Sequence, residues 1–148
     1  MRSYGLISIA LGMLIASPSL AQDWFEYVNQ EDHFAVSLPA EPSIDTSTFI
    51  SASGAILPSK IFTAVHGDST YVVTVVNYDG VGAVEYAGAL AHGAASVSAR
   101  ESELTSENEA IYEGFETRML QFTNPDQTRS FVAVTLPPTV SHLRRLYI

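Results

Sequence analysis

The chain has 148 residues, 16 acidic against 7 basic side chains, a formal net charge of −9 and no cysteine. Phosphate backbones and anionic lipid repel such a surface, so neither nucleic acid nor a membrane is an expected partner of the folded domain. Without cysteine there are no disulfides, thiolate metal sites, thiol redox steps or cysteine nucleophiles.

Met1 to Ala21 carry one positive charge at Arg2, an apolar run from Gly5 to Ala16, a break at Ser17-Pro18 and a small-x-small site at Ser19-Leu20-Ala21. That is the layout of a secretory signal peptide, with cleavage expected between Ala21 and Gln22. The alternative is a retained anchor, but a membrane span needs roughly 20 apolar residues and Ser17-Pro18 interrupt this run early. The expected destination is periplasmic or secreted. Residues 22–148 are read as a single globular α+β domain, long enough to bury its own core.

Short strands punctuated by turns follow. Trp24 to Val28 is aromatic and extended, ending at Asn29-Gln30-Glu31-Asp32. His33 to Leu38 alternates, with Phe34, Val36 and Leu38 on one face, which is the period of a half-buried strand. Pro39 and Pro42 end it by removing ladder donors. Ile44 to Ser53 and Ile56 to His66 read as a hairpin turning through Ser53-Gly54-Ala55. Tyr71 to Tyr78 (YVVTVVNY) is apolar in both phases and is expected at the centre of a sheet, covered on both sides.

After Asp79-Gly80 the period changes. Val84, Ala87, Ala91 and Ala94 fall at helical spacing, so Val84 to Val97 is expected as one helix, weakened at Gly88 and Gly93 by roughly 1 kcal/mol each relative to alanine. Its small side chains favour close packing on the sheet; the other reading is a partly ordered crossover. The polar, acidic stretch from Arg100 to Glu109 is expected as a solvated connection or an edge strand. Phe115 to Phe122 and Thr128 to Leu136 read as partner strands around Asn124-Pro125-Asp126-Gln127, where Asn first and Pro second suit a type I turn. Pro137-Pro138 end the second of these. Leu143 begins a last strand that runs to Ile148, and this strand is expected either to close the sheet or to leave an exposed edge where a further element is missing.

The pattern Trp24-x-x-Tyr27, then Phe34-x-Val36-x-Leu38-Pro39-x-x-Pro42, then Asn77-Tyr78, resembles small exported bacterial proteins of the PsbP/Mog1-like superfamily. Gly114 to Phe122 and Arg129 to Ile148 are similar to the C-terminal hairpin of that group. The resemblance implies an antiparallel β-sheet packed with one or two helices, and no catalytic residues to carry over. Relatives often have a longer middle segment with a cysteine pair, and they continue past the strand matching Leu143 to Ile148 with a short strand and a helix. By that comparison the chain is expected to lack its C-terminal element.

No reactive constellation stands out. His33, His66, His92 and His142 show none of the spacings of a zinc motif. His66 with Asp68 could hold a cation, but a solvated turn histidine is the simpler reading; His92 reads as a helix-surface or partly buried histidine. There is no Gly-x-Ser-x-Gly elbow. Gly80-Val81-Gly82 lacks both a third glycine and a nearby cation, so it reads as a strand-to-helix turn. The glutamates between Glu101 and Glu116 lack the alternating ligands and the glycine of a calcium loop, and read as a solvated acidic face. Trp24, Phe25 and Tyr27 could line a pocket for an apolar or sugar ligand, though core and edge packing is the commoner use of such a cluster.

The reading therefore assigns no catalytic, cofactor-binding or metal-ligating residue and no cofactor. It expects a non-enzymatic binding or accessory domain whose partner is a protein or a small apolar ligand. The alternatives are a small exported hydrolase or metal-dependent enzyme using His66, Asp68 or Asp79, and a truncated relative without activity.

Overall fold

The computed structural model describes residues 24–100, 103–138 and 143–148. The leader, the Ala21/Gln22 cleavage position and His142 lie outside these residues. What is described is mostly antiparallel sheet with two short helices, in agreement with an α+β class.

Two strands, β1 (Phe25–Asn29) and β2 (Phe34–Leu38), form a hairpin of their own. A second sheet holds β3 (Ser43–Ile50), β4 (Ile56–His66), β5 (Ser69–Asn77), β6 (Glu103–Tyr112), β7 (Phe115–Thr123), β8 (Arg129–Leu136) and β9 (Arg145–Tyr147). Its spatial order is β3-β4-β5-β9-β8-β7-β6. It is thus two three-stranded meanders, each built from tight local turns, with β9 seated between them. Gly54 at the β3–β4 turn has φ +87° and Gly114 at the β6–β7 turn has φ +85°, a backbone region that disfavours any side chain.

The helical segment α1 (Ala83–Ala87) and α2 (Ala89–Ser98) crosses one face of the sheet and links the meanders. The expected single helix is divided at Gly88, whose N–H is shared between the carbonyls of Val84 (3.3 Å) and Glu85 (3.1 Å). Gly93 does the opposite of weakening. A Cβ there would lie 2.9 Å from Leu146 Cδ2 and 3.1 Å from Val134 Cγ1, so its absence lets α2 sit directly on β8 and β9.

The core lies between helices and sheet. Val76, Phe122, Val134 and Leu146 are fully buried there, beside Tyr78, Tyr86, Ala89, Ala94 and Val97. Each large apolar side chain removed from water contributes about 1.5–3 kcal/mol. On the opposite face the β1–β2 hairpin covers only the β4–β5–β9 portion. Phe34 meets Phe62 edge-on with ring centroids 5.0 Å apart, and Tyr27 tilts against the same ring at 6.1 Å.

One expectation needs correcting, and another resolves between its alternatives. Tyr71 to Tyr78 is interior in the strand order but is not covered along its length: Val75 and Val76 are buried, whereas Val72 is half exposed. The cause is the shortness of β9, which pairs only with Val75, Val76 and Asn77, extended by one bridge between Thr74 and Ile148. Of the two places expected for the last strand, it takes the closing one, over its own short length. It occupies the middle of the sheet, and the two edges are β3 and β6. The acidic stretch is indeed an edge strand; β6 is exposed, carries a register shift between Leu104 and Ser106, and presents glutamates, all of which discourage pairing with another sheet.

Candidate functional site

The residues that carried possible chemistry in the sequence do not converge. His33 sits in the β1–β2 turn with φ 56°, and its carbonyl accepts a hydrogen bond from the Tyr147 hydroxyl at 3.2 Å. His66 is exposed at the end of β4, and Asp68 follows in the turn. Among the described residues no three histidines or carboxylates are grouped so as to hold a metal ion. His92 projects from α2 onto β3: its Nε2 lies 2.8 Å from the Ile50 carbonyl oxygen, and the Phe49 ring meets it edge-on at 5.6 Å. A carbonyl only accepts, so Nε2 carries the proton and the ring pins helix to strand.

A serine pair and a carboxylate do meet nearby. Ser51 and Ser53 both donate to Glu85 Oε1, Ser53 at 2.5 Å. Those two hydroxyls, Ser51 first, hold the Glu85 carboxyl below its usual range. In a nucleophilic site the hydroxyl would face a base that the acid orients. Here the acid takes the hydroxyls directly and His92 is committed to Ile50, so the cluster fastens the β3–β4 turn to α1.

Gly80-Val81-Gly82 forms the predicted strand-to-helix turn. Its cations are Arg144, just before β9, and Arg145, the first residue of that strand, both far away in sequence. Arg144 donates from its side chain to the Val81 carbonyl and from its backbone to Asp79 Oδ1 at 2.9 Å, and Arg145 pairs with Asp79 Oδ2 at 2.6 Å. Burial alone would raise the Asp79 carboxyl, but the Arg144 N–H and the Arg145 guanidinium outweigh it and the net shift is downward. A depressed carboxyl contributes stability above its unfolded-state value of 3.8, and that contribution is lost as pH falls through the folded value. Asp79→Asn is therefore expected to melt below wild type at neutral pH, with the gap closing towards about pH 2, where both carboxyls are neutral. Thermal melts across that range check it; a gap independent of pH would show that charge plays no part.

The acidic face is also engaged. Glu107 and Glu109 clamp Arg118 across the β6–β7 ladder, at 2.9 and 3.1 Å. Exposed pairs of this kind contribute little to stability individually, but they set β6 on its neighbour.

What does stand open is a groove of about 1770 Å³ that lies mainly on the face opposite the helices and extends to Val97 and Arg100 at the end of α2. One wall is the turn side of the β1–β2 hairpin, with Phe34 and Val36. The floor is Tyr71, Val73 and Tyr147, and the far wall is the uncovered face of β8 and β7, with Phe131, Ala133 and Phe115. Phe131 is 70% exposed; Tyr112, at the other end of the groove, is exposed too, as is Met119, which pairs with Ala133. The hairpin is held in place by polar contacts. Lys60 pairs with Glu31 at 2.8 Å and with Asp32 at 3.0 Å, and the Tyr147 hydroxyl donates to the Asp32 carbonyl at 2.9 Å. Burial pushes the Tyr147 phenol up to about 12, so it remains a donor throughout the physiological range. A second, smaller cavity of about 290 Å³ lies between α1 and the β6–β7 turn, beside Tyr86 and Pro137.

The aromatics singled out in the sequence are not those of the groove. Trp24 stacks edge-on against Tyr71 at 5.1 Å and Tyr27 packs on Phe62, so they support the hairpin. Phe131, Met119 and Tyr112 carry the exposed surface. For Phe131 and Met119 the signal was present as large apolar residues in the outward phase of strands whose inward phase was already apolar.

One buried polar group is left over in the core. Tyr78 is 1% exposed, its hydroxyl finds no hydrogen-bond partner among the described residues, and burial pushes its pKa up to about 12. Tyr78→Phe removes that orphan, and is expected to leave stability unchanged or raise it by about 1 kcal/mol. Urea unfolding reads this, and a loss of comparable size would mean that the hydroxyl is hydrogen-bonded in solution.

No protein-family model matches the chain, and neither a curated protein nor a solved structure matches it.

Proposed function

We propose that this is an exported, periplasmic or secreted, non-enzymatic binding domain that holds a polypeptide segment in the groove between the β1–β2 hairpin and the face of β7 and β8. The leader supports export. The groove is the observation that carries binding: its volume exceeds the roughly 300–1,000 Å³ typical of small-molecule sites, and it is open and lined in part by exposed apolar side chains. Those dimensions favour a protein segment over a small apolar ligand. Asp79, Glu85 and His92 are engaged in turn and helix contacts, and His66 with Asp68 stands at a turn apart from them, which supports binding over turnover. In architecture we read the domain as a PsbP/Mog1-like sandwich, on the strength of the Trp24 to Pro42 pattern and the helix-on-sheet layering.

The test uses residues 22–148 and a fluorescein-labelled, permanently unfolded polypeptide, read by anisotropy. Binding is expected, weakened at least tenfold by Phe131→Asp. Because Phe131 is mostly exposed, its melting temperature should remain near that of wild type. Absence of binding, or equal binding by the variant, overturns the groove; cleavage of the probe overturns the non-enzymatic reading.

A further inference from the structure

The two edges of the large sheet are built differently. β6 protects itself with Glu103, Glu107 and Glu109 and with the register shift between Leu104 and Ser106. β3, at the other end of the strand order, has neither device. Its eight residues pair with β4 in unbroken register, contain no proline and include one charged side chain, Asp45. Every side chain of the strand except Phe49 is exposed, and among the described residues nothing pairs with its outer side.

The free backbone groups follow from the β3–β4 turn. Ser51 donates its N–H to the Ala55 carbonyl at 2.9 Å, so these two residues close the ladder as a hydrogen-bonded pair. Alternation then commits Phe49, Ser47, Asp45 and Ser43 to β4, and turns the N–H and C=O of Ile50, Thr48, Thr46 and Ile44 outward. His92 agrees with this assignment, because its Nε2 takes the Ile50 carbonyl at 2.8 Å, a group that is free only if it points away from β4. That carbonyl is therefore occupied. The open stretch runs from Ile44 to Thr48.

We infer that β3 pairs antiparallel with β3 of a second copy of this chain, about a two-fold axis at Thr46. In that register Thr46 faces Thr46 of the second copy and Ile44 faces Thr48, and each such pair exchanges two hydrogen bonds. One step further on either side, Ile50 meets Pro42. The acceptor that His92 has taken is thus set against a residue with no N–H to give it. Sliding the register so that Ile44 faces Ile50 would instead set a free N–H against that occupied carbonyl. The side chains match as well. Asp45 lies across from Ser47, whose hydroxyl can donate to it, and the two Asp45 carboxylates are only diagonal neighbours, roughly 7–8 Å apart. A strand complementary to itself in donors, acceptors and charge selects a second copy over an unrelated segment. No residue of β3 lines the groove, so this goes beyond the proposed function and does not depend on it.

Sedimentation velocity on residues 22–148, from micromolar to millimolar concentration, is expected to show a reversible monomer–dimer equilibrium. Thr46→Pro removes the central outward N–H, which no bond within the monomer uses, and should weaken association at least tenfold with the fold intact. Should that variant unfold, Thr46→Lys replaces it, since it sets two like charges opposite each other across the axis. The chain has no cysteine, so single cysteines report the geometry. A short bis-maleimide should join two copies of Thr46→Cys and leave Ile111→Cys, on the opposite edge, unjoined. Phe131→Asp should associate as wild type does. A monomer at every concentration overturns the pairing and leaves this edge to a segment of its own chain or to none. A dimer that survives the Thr46 substitution, or equal cross-linking at positions 46 and 111, also overturns it. Loss of the dimer in Phe131→Asp overturns it too, and moves the contact between copies to the groove.

Discussion

Leu146→Ala is expected to destabilise the fold by about 3–5 kcal/mol, the upper range for truncating a buried leucine. Leu146 is fully buried, and its side chain lies beneath Gly93 of α2 and against Val134 of β8. It is the central residue of a strand only three residues long, and that strand is what joins the two meanders through β5 and β8. Removing the isobutyl group leaves a cavity that cannot collapse easily, because the sheet spaces β5 from β8 and α2 is held by its own contacts on β7 and β8. With a total stability of roughly 5–15 kcal/mol, one substitution would consume about a fifth of it or more. Urea denaturation of the variant beside Val84→Ala checks this. Val84 is 90% exposed, and its truncation should fall within about 0.5 kcal/mol of wild type. A cost for Leu146→Ala below about 1.5 kcal/mol would mean that β9 contributes little to joining the halves.

That strand shows where a sequence stops being readable. The hairpins were legible because their information is local: alternation in Phe34 to Leu38, a glycine at position 54 and an Asn-Pro turn at 124 each act over a few residues. The acidic edge was legible for the same reason, since glutamates in a strand disfavour burial on either face. The site of β9 was not. Nothing in Leu143 to Ile148 says that Val76 and Val134 flank it, because that pairing is decided by chain closure over long separations. The overestimated cover on Tyr71 to Tyr78 has the same origin: an apolar run reports what a strand can bury and is silent on how long its neighbours are. The groove inherits this. Phe131 and Tyr71 face one space only after β9 has set the distance between the meanders, whereas the histidines and glutamates that drew attention in sequence were in turns and ladders.

Gly93 offers the second large effect, because two opposing contributions meet at one atom. In an exposed helix, glycine to alanine would gain about 1 kcal/mol from backbone entropy. At position 93 the new methyl would sit 2.9 Å from Leu146 Cδ2, closer than such carbons approach, and 3.1 Å from Val134 Cγ1, a tight contact. Both neighbours are fully buried, so neither can swing aside without moving sheet or helix. Overpacking of this kind costs about 1–3 kcal/mol, and it should outweigh the helical gain, leaving Gly93→Ala destabilised. The decisive measurement is the double-mutant cycle with Leu146→Ala. Once Leu146 is truncated the methyl has room and partly fills the cavity, so Gly93→Ala should become neutral or stabilising in that background. A coupling energy of about 2–3 kcal/mol is expected, within the range for residues in direct contact. Additivity would show that α2 does not rest on Leu146 through this glycine. If the coupling is found, the small residues of α2 are what allow a three-residue strand to hold two half-sheets together: the helix reaches β9 only where it has no side chain.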